Sequence, residues 1–237
     1  MALRRVFVDS IAGREALARG AVARHLARVA RLRRGERVEV SDQVRAFRAT
    51  VDSVSARQVR FRVDEPLPAP EPAPCLEAAV AVIRFRRFEW AIEKLTELGV
   101  RSIVPVIADR SDSKLVQAAP KRVQRWRRIA FEAAQQSRRL RSPSIEIPKA
   151  LETVVRVGAS AEKLILEPGA APFRDACEGK SRFLVGPEGG WSAEERRLAA
   201  ASGFHAVGLG PGILRTETAA VAMAAICASR FQRGGER

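Results

Sequence analysis

The chain has 237 residues, 46% of them hydrophobic, and carries 42 basic against 27 acidic residues for a net charge of +15. That apolar share excludes a globally disordered chain, and the length suits two small domains. No run of 18 apolar residues occurs and Met1 to Ser10 lacks the apolar stretch of a signal peptide, so the expectation is a soluble, cytoplasmic protein without a membrane span.

The surplus of cations points to a polyanionic partner, nucleic acid first. A GC-rich genome explains arginine in place of lysine, but not the surplus over acids. Cys75, Cys177 and Cys227 are odd in number and widely spaced, no CxxC pair exists, and only His25 and His205 are present. Three thiols are expected, with no structural zinc site and no disulfide framework.

In chain order, Ala21 to Leu32 reads as a helix carrying His25 and Arg28. Arg37 to Val40, Ala46 to Val51 and Gln58 to Val63 alternate apolar and polar residues, the period of half-buried strands, with Gly35 and Asp42 at turns. A small β-barrel with one helix is expected here. Residues 1–65 hold 15 arginines against 8 acids, a balance of +7. Pro66 to Pro74, PLPAPEPAP, has five prolines and predicts an extended connector.

Beyond it, strands and helices alternate. Leu76 to Ile83 predicts a strand, and Phe88 to Leu98 a helix stopped by Gly99. Ser102 to Ile107 predicts a strand and Lys121 to Arg139 a long helix with Val123, Trp126, Ala130 and Ala133 on its buried side. Strands follow at Lys163 to Leu166 and Phe183 to Val185. A helix over Ser192 to Ser202 opens on the S-x-x-E spacing of a capping box. A strand at Ala206 to Leu209 and a helix over Thr216 to Phe231 complete the pattern. Such alternation predicts an α/β domain with a mainly parallel sheet covered on both faces.

Residues 121–141 hold eight basic residues against one acid, Glu132. Guanidinium forks match phosphate oxygens, so this stretch is a candidate RNA face as much as a solvated one. Three loops at strand ends are candidates for a ligand held by main chain: Leu166 to Ala170, Gly186 to Gly190, and Leu209 to Thr218. Neither glycine-rich loop has the Gly-Lys-Ser/Thr of a phosphate-binding loop. Only 25 residues follow Gly212, too few for a dinucleotide-binding unit.

Taken in order, four stretches carry a resemblance. They are Glu93-Lys-Leu-Thr-Glu-Leu-Gly-Val100, Glu132-Ala-Ala-Gln-Gln-Ser-Arg138, Leu184-Val-Gly-Pro-Glu-Gly-Gly190 and Leu209-Gly-Pro-Gly-Ile-Leu-Arg-Thr-Glu-Thr-Ala219. With Arg4-Arg5-Val-Phe7 and the run from His25 to Gly35, the chain resembles the 16S rRNA uridine-N3 methyltransferases, the RsmE family of the SPOUT superfamily. The resemblance implies a PUA-like RNA-binding β-barrel over residues 1–70. It implies a SPOUT α/β domain over 75–237, with a deep trefoil knot within about residues 163–220.

It further implies S-adenosyl-L-methionine as cofactor. Its contacts would be Leu166, Glu167 and Pro168; Gly186, Pro187, Glu188, Gly189 and Gly190; then Leu209, Gly210, Ile213, Leu214, Arg215, Thr216, Thr218 and Ala219. The partners implied are 16S rRNA in the small ribosomal subunit and a second copy of the chain.

Methylation at uridine N3 needs an aligned methyl donor and a deprotonated nitrogen. Arg215 is the candidate for holding the negative uracil edge, with Glu188 and Glu217 as alternative proton acceptors. Glu217 in a first helical turn also reads as a simple capping charge. No cysteine lies in the three loops, against carbon-5 methylation through a thiol. RNA contacts are expected from Arg4, Arg5, His25, Arg28, Arg84, Arg122, Arg125, Arg128, Gln136 and Arg138. The stretch Ile83 to Arg87 departs from the family's lysine and glycine-aspartate turn. Alternatives are a SPOUT enzyme acting on tRNA or a ribose 2′-oxygen, and a non-catalytic rRNA-binding assembly protein.

Overall fold

The computed structural model describes residues 3–68, 75–156, 162–173 and 179–231. Two compact units form: residues 1–71 with 134–142, and residues 72–133 with 143–237. Most of the expected proline connector, residues 69–74, lies outside the described residues.

The first unit holds β1 (Arg5–Phe7), β2 (Ser10–Ala12), β3 (Glu15–Arg19), α1 (Gly20–Arg28), β4 (Arg37–Ser41), β5 (Ala46–Val54) and β6 (Gln58–Pro66). They form one six-stranded sheet in the order β1-β4-β5-β6-β3-β2, antiparallel except for the β1–β4 pair. Val38 and Val40 of β4, Ala49 and Val51 of β5, and Val59, Phe61 and Val63 of β6 alternate inward onto Leu26 of α1. The strands at residues 46 and 58 run longer than their alternation predicted. Asp42 accepts from the Val44 and Arg45 amides, which makes the turn expected there.

Residues 134–142 join this unit through hydrogen bonds. Gln135 Oε1 accepts from the Phe7 amide at 3.1 Å, and Ser41 Oγ donates to the Leu140 carbonyl at 2.9 Å. Glu39, 2% exposed, binds Arg5 Nε at 3.1 Å and Arg138 Nε at 3.2 Å.

The second unit contains β7 (Cys75–Ala81), α2 (Phe85–Glu97), β8 (Ser102–Ile107), α3 (Ser113–Ala118), α4 (Val123–Gln136, its last turn within the first unit), β9 (Ser144–Ile145) and β10 (Lys149–Ala150). It continues with α5 (Leu151–Arg156), β11 (Glu162–Leu166), β12 (Lys180–Val185), α6 (Ala193–Ala201), β13 (His205–Val207) and α7 (Thr216–Phe231). All its strand pairs among the described residues are parallel, in the order β10-β8-β7-β12-β11-β13, with β9 also on β8.

Helices cover both faces. Leu76, Ala78 and Val80 of β7 face Phe88, Ile92, Trp126 and Met223, whereas Ala79 and Ala81 face Leu151, Val155 and Ala199. The two-residue period of a strand divides one apolar run between two cores. Val123, Trp126, Ala130 and Ala133 are buried as expected. Trp126 lies 4.7 Å from the Phe88 ring centre, and truncating it to alanine would cost about 3 to 5 kcal/mol.

Gly99, at φ +84°, ends α2. Its amide donates to the Thr96 carbonyl and the Val100 amide to the Leu95 carbonyl, the paired bonds of a Schellman stop. Helix α2 begins three residues before the expected Phe88. The expected helix 121–139 is shorter: Pro120 opens a 3-10 turn over Ala119–Arg122, and the regular helix ends at Gln136. Cys75 is free, but buried Cys227 is disulfide-bonded, which corrects the expectation of three thiols. Among the described residues no helix is long and apolar enough to cross a membrane, and no group of three or more metal-ligating side chains gathers.

Candidate active site

Parallel strands aim their carboxyl ends the same way, so the loops after β11, β12 and β13 meet on one side of the second unit. The first and third loops touch main chain to main chain. The Gly208 amide donates to the Ala171 carbonyl at 2.8 Å, and the Phe173 amide to the Gly208 carbonyl at 3.1 Å. A Cβ at Gly208 would stand 2.4 Å from the Ala170 carbonyl oxygen, so only glycine permits this approach. The second loop is tied to α7, where Thr216 Oγ1 donates to the Gly186 carbonyl at 2.8 Å. Beyond that loop the capping box is complete: Ser192 Oγ accepts from the Glu195 amide and Glu195 Oε2 from the Ser192 amide.

The three loops enclose a cleft of about 230 Å³. Its walls include Leu166, Glu167 and Pro168; Gly186, Pro187, Glu188 and Gly190; and Leu209, Gly210, Ile213, Leu214, Arg215, Thr216 and Ala219. Two expected contacts are not in the wall. Thr218 is exposed on α7, and Gly189 backs onto Arg110. Three wall residues lie outside the expected loops, Val185, Val207 and Trp191, while Gly212 falls within the expected stretch Leu209 to Thr218. Val185 and Val207 are the last residues of their strands, and Trp191 directly follows the second loop, so position alone was a usable signal.

The walls suit a ligand with an apolar body and polar ends. Glu167 Oε1 and Trp191 Nε1 are buried and have no hydrogen-bond partner among the described residues, as an acceptor and a donor awaiting a ligand would be. A Cβ at Gly210 or Gly212 would enter open space, and Gly210 sits at φ +126°, a conformation other residues rarely adopt.

The polar groups at the mouth are organised by Arg87, which no local motif marks as a site residue. Its NH1 donates to Glu188 Oε1 at 3.2 Å, and its Nε lies 3.6 Å from Glu217 Oε1. Glu188 is half exposed and lines the cleft, whereas Glu217 is buried behind it, outside the wall. Arg215 is exposed and carries no ion pair or side-chain hydrogen bond among the described residues. Burial raises the Glu167 carboxyl above its ordinary 4.5, against the pull of Arg196 at 3.7 Å.

The expected RNA contacts divide by their surroundings. In the first unit Arg5 and Arg138 are paired to Glu39, and Arg4 NH1 donates to the Ala30 carbonyl at 3.2 Å. His25 is half-buried on α1, Arg28 is exposed, and Gln136 is exposed at the end of α4. In the second unit Arg125 makes two bonds to Glu89, at 2.7 and 3.0 Å, and Arg128 pairs with Glu132. Arg122 stacks 4.9 Å above the Phe85 ring, and Arg84 is exposed at the start of α2.

A parallel sheet with a loop-built cleft at its strand ends is the architecture of a ligand-binding α/β domain, and the arginines exposed beside it suit a polyanion. Residues 70–228 match the family described as RNA methyltransferase domain. The ribosomal RNA small subunit methyltransferase E of Aquifex aeolicus is 32% identical over 204 residues, covering 84% of this chain and 88% of its own. That of Mycobacterium tuberculosis is 33% identical over 234 residues, covering 93% and 89%. The crystal structure of this methyltransferase from Neisseria gonorrhoeae bound to S-adenosyl methionine superposes with a TM-score of 0.84 at 28% identity, covering 94% of this chain and 96% of that one. The chain belongs to the ribosomal RNA small subunit methyltransferase E family.

Proposed function

We propose that the chain transfers the methyl group of S-adenosyl-L-methionine to N3 of a uridine in 16S rRNA of the small ribosomal subunit. The observation that carries this reading is the cleft: its walls combine the three family loops with a buried unpaired acceptor and donor, in a chain whose Neisseria relative binds that cofactor. When bound, the cofactor supplies a sulfonium-activated methyl carbon. The loops Leu166–Pro168, Gly186–Gly190 and Leu209–Ala219 hold it largely through main chain, on apolar walls that exclude water.

Uridine N3 is protonated at neutral pH, so the site has to remove a proton and steady the resulting anion. Arg215, exposed at the rim and without an acidic partner among the described residues, faces the uracil edge. Glu188, in the wall and held by Arg87, accepts the proton. Glu217 braces the first turn of α7 through Arg87 rather than reaching substrate, since its carboxylate is buried outside the wall.

In the same reading the first unit is a PUA-like RNA-binding domain over residues 1–70. Residues 75–237 are a SPOUT domain whose C-terminal part forms the knot within about 163–220. The return of α7 from the outer strand β13 onto α2 and β7, and its tie to Gly186, support that threading. The enzyme works in the cytoplasm as a homodimer, with α7 and the cofactor loops at the interface.

The test is transfer of label from S-adenosylmethionine to small subunits purified from a strain lacking the gene, read by nucleoside mass spectrometry. Labelled 3-methyluridine is the expected product. A different methylated nucleoside would reassign the target atom, and cofactor binding without label would reassign the RNA.

A further inference from the structure

One wall of the cleft is held from behind by residues that never touch it. The loop joining β8 to α3, residues 108–112, is stapled to the stretch 189–195 at three points. Arg110 NH1 donates to the Gly189 carbonyl at 2.7 Å. Ser192 Oγ donates to Asp109 Oδ2 at 2.6 Å, and the Asp109 amide donates to Glu195 Oε1 at 2.9 Å. Glu195 is 5% exposed, and its other oxygen accepts from the Ser192 amide at 2.7 Å. One buried carboxylate thus fastens two separate segments by main-chain hydrogen bonds, the charge-assisted kind that is strongest away from water.

The glycine at the middle of the loop fits this arrangement. A Cβ at Gly189 would lie 3.2 Å from Arg110 Cβ and 3.4 Å from Arg110 Cδ. Gly189 is therefore bare on the side of Arg110, away from the cleft, and its carbonyl turns toward the guanidinium. The neighbours Gly186, Pro187, Glu188 and Gly190 then form the cleft wall.

We propose that Arg110 is a positioning residue for the methyl-donor site, holding the Gly186–Gly190 loop in its binding shape through the Gly189 carbonyl. This rests on the reading of the cleft as the S-adenosylmethionine site. Arg110 contributes no contact to the cofactor. Its effect is to reduce the number of loop conformations that binding has to select among, since a partly populated binding-competent loop weakens apparent affinity by the populated fraction.

The experiment measures binding of S-adenosylmethionine and S-adenosylhomocysteine to the full chain by calorimetry, together with KM and kcat on small subunits. Arg110→Ala is expected to weaken both ligands about fivefold to tenfold and to raise the cofactor KM in parallel, with a smaller change in kcat. Arg110→Lys, which keeps a donor in reach of the carbonyl, recovers part of the loss. Gly189→Ala, whose Cβ would crowd Arg110 Cβ, weakens binding in the same direction. Arg197→Ala, which removes an exposed pair on α6, leaves affinity unchanged. Wild-type affinity in Arg110→Ala, or a loss of thermal stability without a change in affinity, would overturn the proposal while leaving the cofactor reading intact. A wild-type chain that does not bind S-adenosylmethionine would overturn both.

Discussion

Two arginine-rich stretches look alike in sequence and differ in the fold. Residues 24–37 hold Arg24, Arg28, Arg31, Arg33, Arg34 and Arg37, all exposed, and none has an ion pair or side-chain hydrogen bond among the described residues. The single acid among them, Glu36, accepts from the Arg33 amide. Residues 121–141 hold eight basic residues with one acid, yet several of them meet carboxylates, two of these brought from far along the chain. Glu89 takes Arg125 in a two-bond fork, Glu39 takes Arg138, and Glu132 takes Arg128. Arg122 lies on Phe85, and Arg127 donates to the Ile145 carbonyl. Formal charge counted along a chain is therefore not the charge available to a phosphate. We propose that residues 24–37, whose arginines are unpaired among the described residues, form the stronger RNA face.

The largest effect that tests this difference is on RNA affinity. Replacing Arg31, Arg33 and Arg34 together by alanine should reduce the slope of log affinity against log salt by about 2 to 3, at roughly 0.7 to 0.9 for each phosphate no longer neutralised. Replacing Arg122, Arg125 and Arg128 should change it by less than about 1. Filter binding to small-subunit rRNA over a salt series measures both, and equal slopes would erase the distinction.

Next in size is a stability effect. Glu39→Ala leaves the largely buried Arg5 without its acid, which should cost about 2 to 4 kcal/mol in urea unfolding. This lies below the full cost of breaking a buried pair because Arg138 is 43% exposed and partly screened by water. A loss near zero would mean that water replaces the carboxylate and that the pair organises nothing.

A gain of binding is the third expectation. Glu89→Gln frees the Arg125 fork without removing it, and RNA affinity should rise about twofold to fivefold at low salt. No gain would show that Arg125 is silent by position rather than by pairing.

The smallest effect concerns an incomplete pair, Glu167 and Arg196. A carboxyl raised by folding holds its proton more readily in the native than in the unfolded chain. Stability then falls as pH rises from the ordinary glutamate value through the raised one. Glu167→Gln should flatten the melting-temperature curve across that window, on the order of 1 to 3 °C. An unchanged curve would assign the slope to another group.

Much of the site was legible in the chain because it is made of main chain. Glycines at Gly186, Gly190 and Gly210, and a complete capping box at Ser192, are local instructions that hold wherever the segment folds. The helix stop at Gly99 and the bounds of α7 were legible for the same reason. Arg87 and Arg110 were not, since each owes its role to a residue from a different stretch of the chain.

The sequence by itself determined the alternation of strands and helices, the three loops that line the cleft and the family, because each is written in local periodicity or contiguous motifs. Only the tertiary structure decided which arginines stay free, which of two glutamates lines the cleft, and what braces the loop from behind. Those outcomes depend on pairs more than 35 residues apart, Arg125–Glu89, Arg87–Glu188 and Arg110–Gly189, and no local rule of charge or period specifies such a pair.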